Sequence, residues 1–176
     1  RPGLTLMDNP ARVQAAGINA AVERFAEPGH TILIRVDAHA TYPADYVPRV
    51  AACLAETGAD SVATVMDSVG EGCFRRGVVA ALGTPLGTGG SAHRGGVASG
   101  WVDHGHHAGF RLDRFRALRG YDASFAVNED AEYDHRLALA GGRVWLAADL
   151  RLAYVVRGTP AALAWQYSRY GRGRAR

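Results

Sequence analysis

Asp37 and His39 stand two residues apart, directly after Thr31–Val36 (TILIRV), the clearest β-branched strand run in the chain. In open α/β sheets, ligands bind beyond the carboxyl ends of strands, where side chains converge and loops leave room. A carboxylate and an imidazole at such a place can both point at one cation, and together they suit Mn²⁺ or Mg²⁺ carrying a diphosphate. The same two residues also fit a plainer arrangement, an Asp that caps the following turn beside a surface His.

Three further clusters carry groups that do chemistry. Asn128-Glu129-Asp130-Ala131-Glu132 sets three carboxylates within four residues at a helix start. Acids there complement the helix dipole. Alternatively Asp130 or Glu129 is a general base, with its proton affinity raised by the like charge beside it. Asp103-His104-Gly105-His106-His107 holds three of the seven histidines. Strand alternation would turn His104 and His106 to one face and His107 to the other. That points to a strand lining a substrate cleft, with a metal site as the other option. Gln166 and Arg169 lie three apart on the last helix and so share a face. They can hold a phosphate or a sugar hydroxyl, or simply form a solvated side.

Recurring patterns name the elements that must position these groups. Leu4–Met7 reads as a short strand, and Asn9-Pro10 as the cap and first residue of a helix whose stripe is Ile18, Ala21, Val22 and Phe25. After the Thr31–Val36 strand comes a helix with Val47, Val50, Ala51 and Leu54 on its core face and Gly58 as its stop, then a strand over Ser61–Met66. Strand and helix in alternation predict a parallel sheet with helical crossovers. Glu71–Leu82 reads as helix, and Gly83–Gly100 as an aperiodic loop. A strand lies within Trp101–Leu112, with helices over Asp113–Arg119 and Asp130–Ala140. Strands follow at Arg143–Ala147 and Leu152–Val156, and an amphipathic helix at Ala161–Tyr170.

The chain of 176 residues fits one domain. At 48% hydrophobic and 21% charged residues it has the balance of a globular protein, and no apolar run is long enough to span a bilayer. All 20 basic residues are Arg. The net charge of +3 is mild and gathers at the end, in Arg169, Arg172, Arg174 and Arg176. Such a tail meets phosphate or anionic lipid, or is solvated. Nucleic-acid binding through it would require stacking partners, and Tyr167 and Tyr170 are the obvious candidates on that helix. Cys53 and Cys73 have neither CxxC nor zinc-ligand spacing; Cys53, on an apolar helical face, reads as a buried thiol of a reducing compartment.

In combination, Asp8–Val22 (DNPARVQAAGINAAV), Ile34–Val47 (IRVDAHATYPADYV), Thr57–Asp60 (TGAD), Asn128–Trp145 (NEDAEYDHRLALAGGRVW) and Gln166–Gly171 (QYSRYG) resemble family 2 glycosyltransferases of the GT-A fold, closest to the bacterial succinoglycan-biosynthesis type. The resemblance runs nearly the whole length in family order. It implies an α/β fold with a mostly parallel central sheet flanked by helices. It also implies a partial catalytic domain over residues 1–176, lacking the first strands that hold the nucleotide base, and an Arg-rich amphipathic helix over residues 159–176.

The roles it implies are specific. Asp37 and His39 occupy the DxD position, with His in the second ligand place, and hold a divalent cation, Mn²⁺ or Mg²⁺. Asp130, next to Glu129, is the base of an inverting transfer. Arg12, Asn19, Asp37, His106, Gln166 and Arg169 contact the donor or substrate. Gln166…Arg169 stands at the Q-x-x-R-W element, with Tyr170 in the Trp place. The implied partners are a UDP-hexose donor, a saccharide or polyprenyl-linked acceptor and, through the basic helix, the cytoplasmic face of the cell membrane, with no nucleic acid. The Gly-rich segment around Thr84–Gly90 would close over the donor. A non-catalytic GT-A-like fragment is the main alternative, and a nucleic-acid-binding module a lesser one.

Overall fold

The computed structural model describes residues 3–88 and 98–175. Helix α1 (Gln14–Phe25) leads to strand β1 (Ile32–Ile34) and the short β2 (Ala40–Thr41), then α2 (Tyr46–Thr57), β3 (Ser61–Val69), α3 (Cys73–Leu82) and the single turn α4 (Pro85–Thr88). After residue 97 come β4 (Gly100–Val102), β5 (His106–Arg111), α5 (Leu112–Ala117), α6 (Glu129–Leu139), β6 (Val144–Val155) and α7 (Pro160–Arg174).

The six strands form one mixed sheet in the order β1-β5-β3-β6-β2, with β4 also paired to β6. This corrects the expectation of a mostly parallel sheet. Among the described residues only β3 and β6 pair in parallel, and the other pairings are antiparallel. The β1–α2–β3 crossover does bring two strands back pointing the same way, as alternation predicts. β5, contributed by a much later segment, slots between them and runs antiparallel to both. A strand's unpaired N–H and C=O groups accept a neighbour of either sense, so alternation alone could not exclude this insertion.

Helices cover both faces. On one, Val22 of α1, Phe115 of α5 and Tyr133 and Leu137 of α6 pack on Ala63, Val65, Phe110, Val144 and Leu146. On the other, Tyr46, Val50 and Leu54 of α2 pack on Val62, Ala108, Ala147 and Leu150. A third cluster joins Val78 and Leu82 of α3 to Met66, Leu152, Tyr154 and Val156. Gly109 lets α2 approach β5, since a Cβ there would stand 2.5 Å from Val50 Cγ1. Gly58, at φ 65°, ends α2 as the sequence predicts, and Gly141, at φ 75°, follows the end of α6.

Several local expectations are corrected. Leu4–Met7 forms no strand; it pairs with no other described strand, and Leu4 and Leu6 are exposed. α1 begins at Gln14 rather than Pro10, because Asn9 makes a separate turn in which its amide donates to Val13 O at 2.8 Å. Val47 is exposed, and Tyr46 takes the core position instead. The two strands expected over residues 143–156 are one, β6, bent where its register with β3 skips from Ala147 to Arg151. β4 and β5 divide the segment expected to hold one strand, and α4 interrupts the loop read over residues 83–100. α7 buries none of its residues, so it is less amphipathic than expected.

Candidate functional site

The sheet's directions decide where the site lies. β1, β3 and β6 run the same way and β5 runs against them, so the ends of the first three and the start of β5 share one rim. A cleft of about 930 Å³ opens there. Arg35 and Asp37 enter from the end of β1, His106 from the start of β5, Met66 from β3, and Tyr154 from β6. Glu129 and Asp130 enter from the first turn of α6, while Gln166, Arg169 and Tyr170 of α7 form a further wall.

Asp37 is held from four directions. Its Oδ1 accepts from Gln14 Nε2 at 2.6 Å and Arg35 Nε at 3.2 Å, its backbone N–H donates to Tyr42 Oη at 2.6 Å, and its Oδ2 stands 3.6 Å from His106 Nε2. Burial pushes this carboxyl up, but Arg35, His106 and the hydrogen bonds outweigh it, so Asp37 lies below the usual carboxylate range. His106 goes the other way: burial, aided by Arg35, holds its imidazole down to about 4 despite the carboxylates of Asp37 and Asp130.

The three acids at the start of α6 have three separate surroundings. Glu129 Oε1 pairs with Arg35 Nη2 at 3.1 Å, and Glu132 pairs with Arg136 one turn along. Asp130 faces the cleft, with Oδ1 accepting the N–H of Ala131 at 2.9 Å. The expectation that neighbouring carboxylates raise its proton affinity is reversed. Burial does push Asp130 up, yet the guanidinium of Arg35 and whatever positive charge the imidazoles of His107 and His104 carry bring its carboxyl below the ordinary range. An ionised carboxylate in a cleft can accept a proton from a hydroxyl.

The structure brings most of the sequence-predicted residues together. Arg12, Asp37, His39, His106, Glu129, Asp130, Gln166 and Arg169 all line the cleft. His39 packs edge-on against Tyr154, ring centroids 5.3 Å apart. Gln166 Nε2 donates to Tyr154 Oη and Tyr170 Oη, and Arg169 Nη2 to Ala126 O, so both also fasten α7 to its neighbours. Asn19 is the exception. It lies outside the cleft, and its amide clamps the backbone of Tyr121, donating to Tyr121 O at 2.7 Å and accepting from Tyr121 N at 2.9 Å. The segment expected to close over the donor, residues 84–90, lies partly outside the described residues; within it Leu86 and Gly87 line the cleft.

Sequence reasoning missed Gln14 and Arg35 as site residues. Arg35 left one signal, a charge inside an otherwise apolar strand run. Gln14 left none, since its partner is set by how α1 crosses the end of β1.

A resident metal centre does not fit the chain alone: among the described residues no three His, Cys, Asp or Glu side chains converge on one point. Asp37 Oδ1 is occupied, whereas among the described residues Oδ2 has only His106 beside it, 3.6 Å away and too far for a hydrogen bond. That donor set fits a cation taking one or two protein ligands and completing its shell with phosphate oxygens and water.

The chain is similar to the succinoglycan biosynthesis protein ExoA of Rhizobium meliloti (strain 1021), with 46% identity over 175 residues that cover 99% of this chain and 53% of that protein. It therefore spans about half the length of this curated relative. No family model matches the chain. Among the described residues, no helix is long and apolar enough to cross a membrane.

Proposed function

We propose that this chain belongs to the catalytic domain of an inverting family 2 glycosyltransferase of exopolysaccharide synthesis, moving a hexose from a nucleoside-diphosphate sugar, UDP-linked, to a saccharide or lipid-linked saccharide. The observation that carries this reading is the meeting of Asp37 and His39 with Glu129 and Asp130 in one cleft, although the two pairs come from distant parts of the chain. The relative's name, which places it in succinoglycan biosynthesis, supports the same class of product.

In this reading the diphosphate lies beside Asp37 and His39, which would hold Mn²⁺ or Mg²⁺ as protein ligands. The cation would supply Lewis-acid stabilisation of the leaving diphosphate. Asp130 takes the proton of the acceptor hydroxyl as that oxygen attacks the anomeric carbon from the face opposite the departing group, so one displacement inverts the centre. Glu129 cannot share that task while its carboxylate is tied to Arg35. Arg12, Arg169 and Gln166 stand where phosphate or sugar hydroxyls would be held. α7 carries exposed Trp165 and Tyr167 with Arg172 and Arg174, a combination that suits an anionic membrane surface at the cytoplasmic face.

Titration of the chain with UDP in the presence and absence of Mn²⁺ tests the donor side, and metal-dependent binding is expected. Asp130→Asn is expected to retain that binding and to lower transfer by about 10²–10⁴-fold. Absence of any metal-dependent UDP binding would favour a non-catalytic fragment. Unchanged turnover in Asp130→Asn would remove that residue from the base role.

A further inference from the structure

Behind the cleft runs a line of buried polar groups that the proposed chemistry does not use. Arg35 Nη1 donates to Tyr121 Oη at 3.1 Å, and Tyr121 Oη lies 2.7 Å from His107 Nδ1. His107 Nε2 lies 2.8 Å from Asp134 Oδ1, and Asp134 Oδ2 accepts the N–H of Gly105 at 3.2 Å. Arg35, Tyr121, His107 and Asp134 are each at least nine-tenths buried. They come from the end of β1, the loop after α5, the start of β5 and the second turn of α6, so no local structural need explains their meeting.

We propose that Tyr121, His107 and Asp134 are positioning residues, a buried relay that fixes the Arg35 guanidinium between Asp37 and Glu129 and so sets how both carboxylates face the cleft. This rests on the reading of that cleft as the transfer site only for its consequence in turnover, since the relay itself is a statement about hydrogen bonds.

Donor and acceptor counting gives the relay a direction. An arginine only donates, so Tyr121 Oη must accept from Arg35 and turn its own proton elsewhere. The neighbour in reach is His107 Nδ1, which must then be bare and accepting. The remaining proton of the ring sits on Nε2 and is donated to Asp134. Every member is satisfied in this one arrangement. A proton on Nδ1 would set two donors against Tyr121 Oη and leave the phenol's own proton without the His107 acceptor. His104 Nδ1 also lies 3.5 Å from Asp134 Oδ2, and that contact raises the proton affinity of His104.

A bulge puts His107 in place. The β3–β5 register passes from Val62↔Gly109 to Ala63↔His107 and skips Ala108. Ala108 and Gly109 consequently both face α2, and His107 joins Phe110, Tyr121 and Tyr133 on the opposite side. Bulges of this kind re-aim a side chain beside a site.

The test has two arms on the full chain. Long-range ¹H–¹⁵N NMR of the imidazoles at neutral pH, with His107→Gln for assignment, is expected to show His107 with a bare Nδ1 and a protonated Nε2. A proton on Nδ1 overturns the relay, whatever the chain's activity. In the second arm Tyr121→Phe removes one hydroxyl from the line and keeps the ring. With thermal unfolding used to select folded protein, it is expected to weaken Mn²⁺-dependent UDP binding or lower kcat by about tenfold, the worth of one hydrogen bond to a charged group. The KM for a neutral acceptor sugar is expected to stay unchanged. Tyr121→Phe with unaltered UDP affinity and kcat overturns the positioning role. If the unsubstituted chain binds no UDP, the donor-site reading fails, and the NMR arm still decides the relay.

Discussion

Arg35 Nη2 stands 3.1 Å from Glu129 Oε1, an ion pair with both side chains more than nine-tenths buried that ties the end of β1 to the start of α6. The same guanidinium also holds Asp37 and donates to Tyr121. One cation therefore stands behind two carboxylates that the sequence separates widely. Burial disfavours this guanidinium's charge, but Tyr121, Asp37 and Glu129 more than offset that, so it holds its proton more tightly than an ordinary arginine.

Removing that cation while keeping bulk leaves two buried anions uncompensated. Arg35→Met is expected to destabilise the chain by about 3–5 kcal/mol, read from urea midpoints at neutral pH. A loss below about 1 kcal/mol would mean that water or another cation reaches Asp37 and Glu129.

Tyr133 offers a contrast with Tyr121. Its hydroxyl is buried and has no hydrogen-bond partner among the described residues, while its ring packs with Phe110, Phe115 and Tyr121. Tyr133→Phe deletes an unsatisfied group and leaves the aromatic cluster intact. Thermal unfolding is expected to show equal or higher stability, by up to about 1–3 kcal/mol. A clear loss would reveal a partner for that hydroxyl.

His106 predicts a specific acid sensitivity. Its folded value of about 4 lies below the ordinary 6.5. Between those two pH values the unfolded chain binds the proton and the folded chain does not, so stability falls as pH drops through that window and is complete above it. One such group gives a slope of up to about 1.4 kcal/mol per pH unit. His106→Gln is expected to flatten the curve of urea midpoint against pH in that window. Parallel curves for the two proteins would show that His106 is accessible to protons in the fold.

Gly109 tests how tightly α2 lies on β5. A methyl group there would meet Val50 Cγ1 at 2.5 Å and Leu54 Cδ1 at 3.3 Å. Gly109→Ala is expected to cost about 1–3 kcal/mol in thermal or urea unfolding, because the helix must shift to admit it. A neutral result would show that α2 moves freely over the sheet.

Elements whose cause is local are legible in the order of residues. Gly58 in the left-handed region stops α2, and the β-branched run around Ile32–Ile34 makes β1. The His104–His107 cluster shows where local rules run out. His104 and His106 line the cleft and His107 enters the core, but the skip at Ala108 that lets His107 share a side with Phe110 leaves no mark in the spacing of residues. Asn19 shows the same limit from the other side: a polar residue in a motif-like stretch is held by the backbone of Tyr121, far along the chain.

The acidic, basic and imidazole groups at a strand end and a helix start are thus legible in the order of residues, because capping, turn geometry and side-chain periodicity depend on residues within a few positions of one another. Long-range packing was needed to set β5 between β1 and β3, to join Asp37 to Glu129 through Arg35, and to bring the Asp130 carboxyl below its ordinary range. Strand edges accept partners of either direction, and a buried group's charge is set by whichever distant groups packing brings beside it.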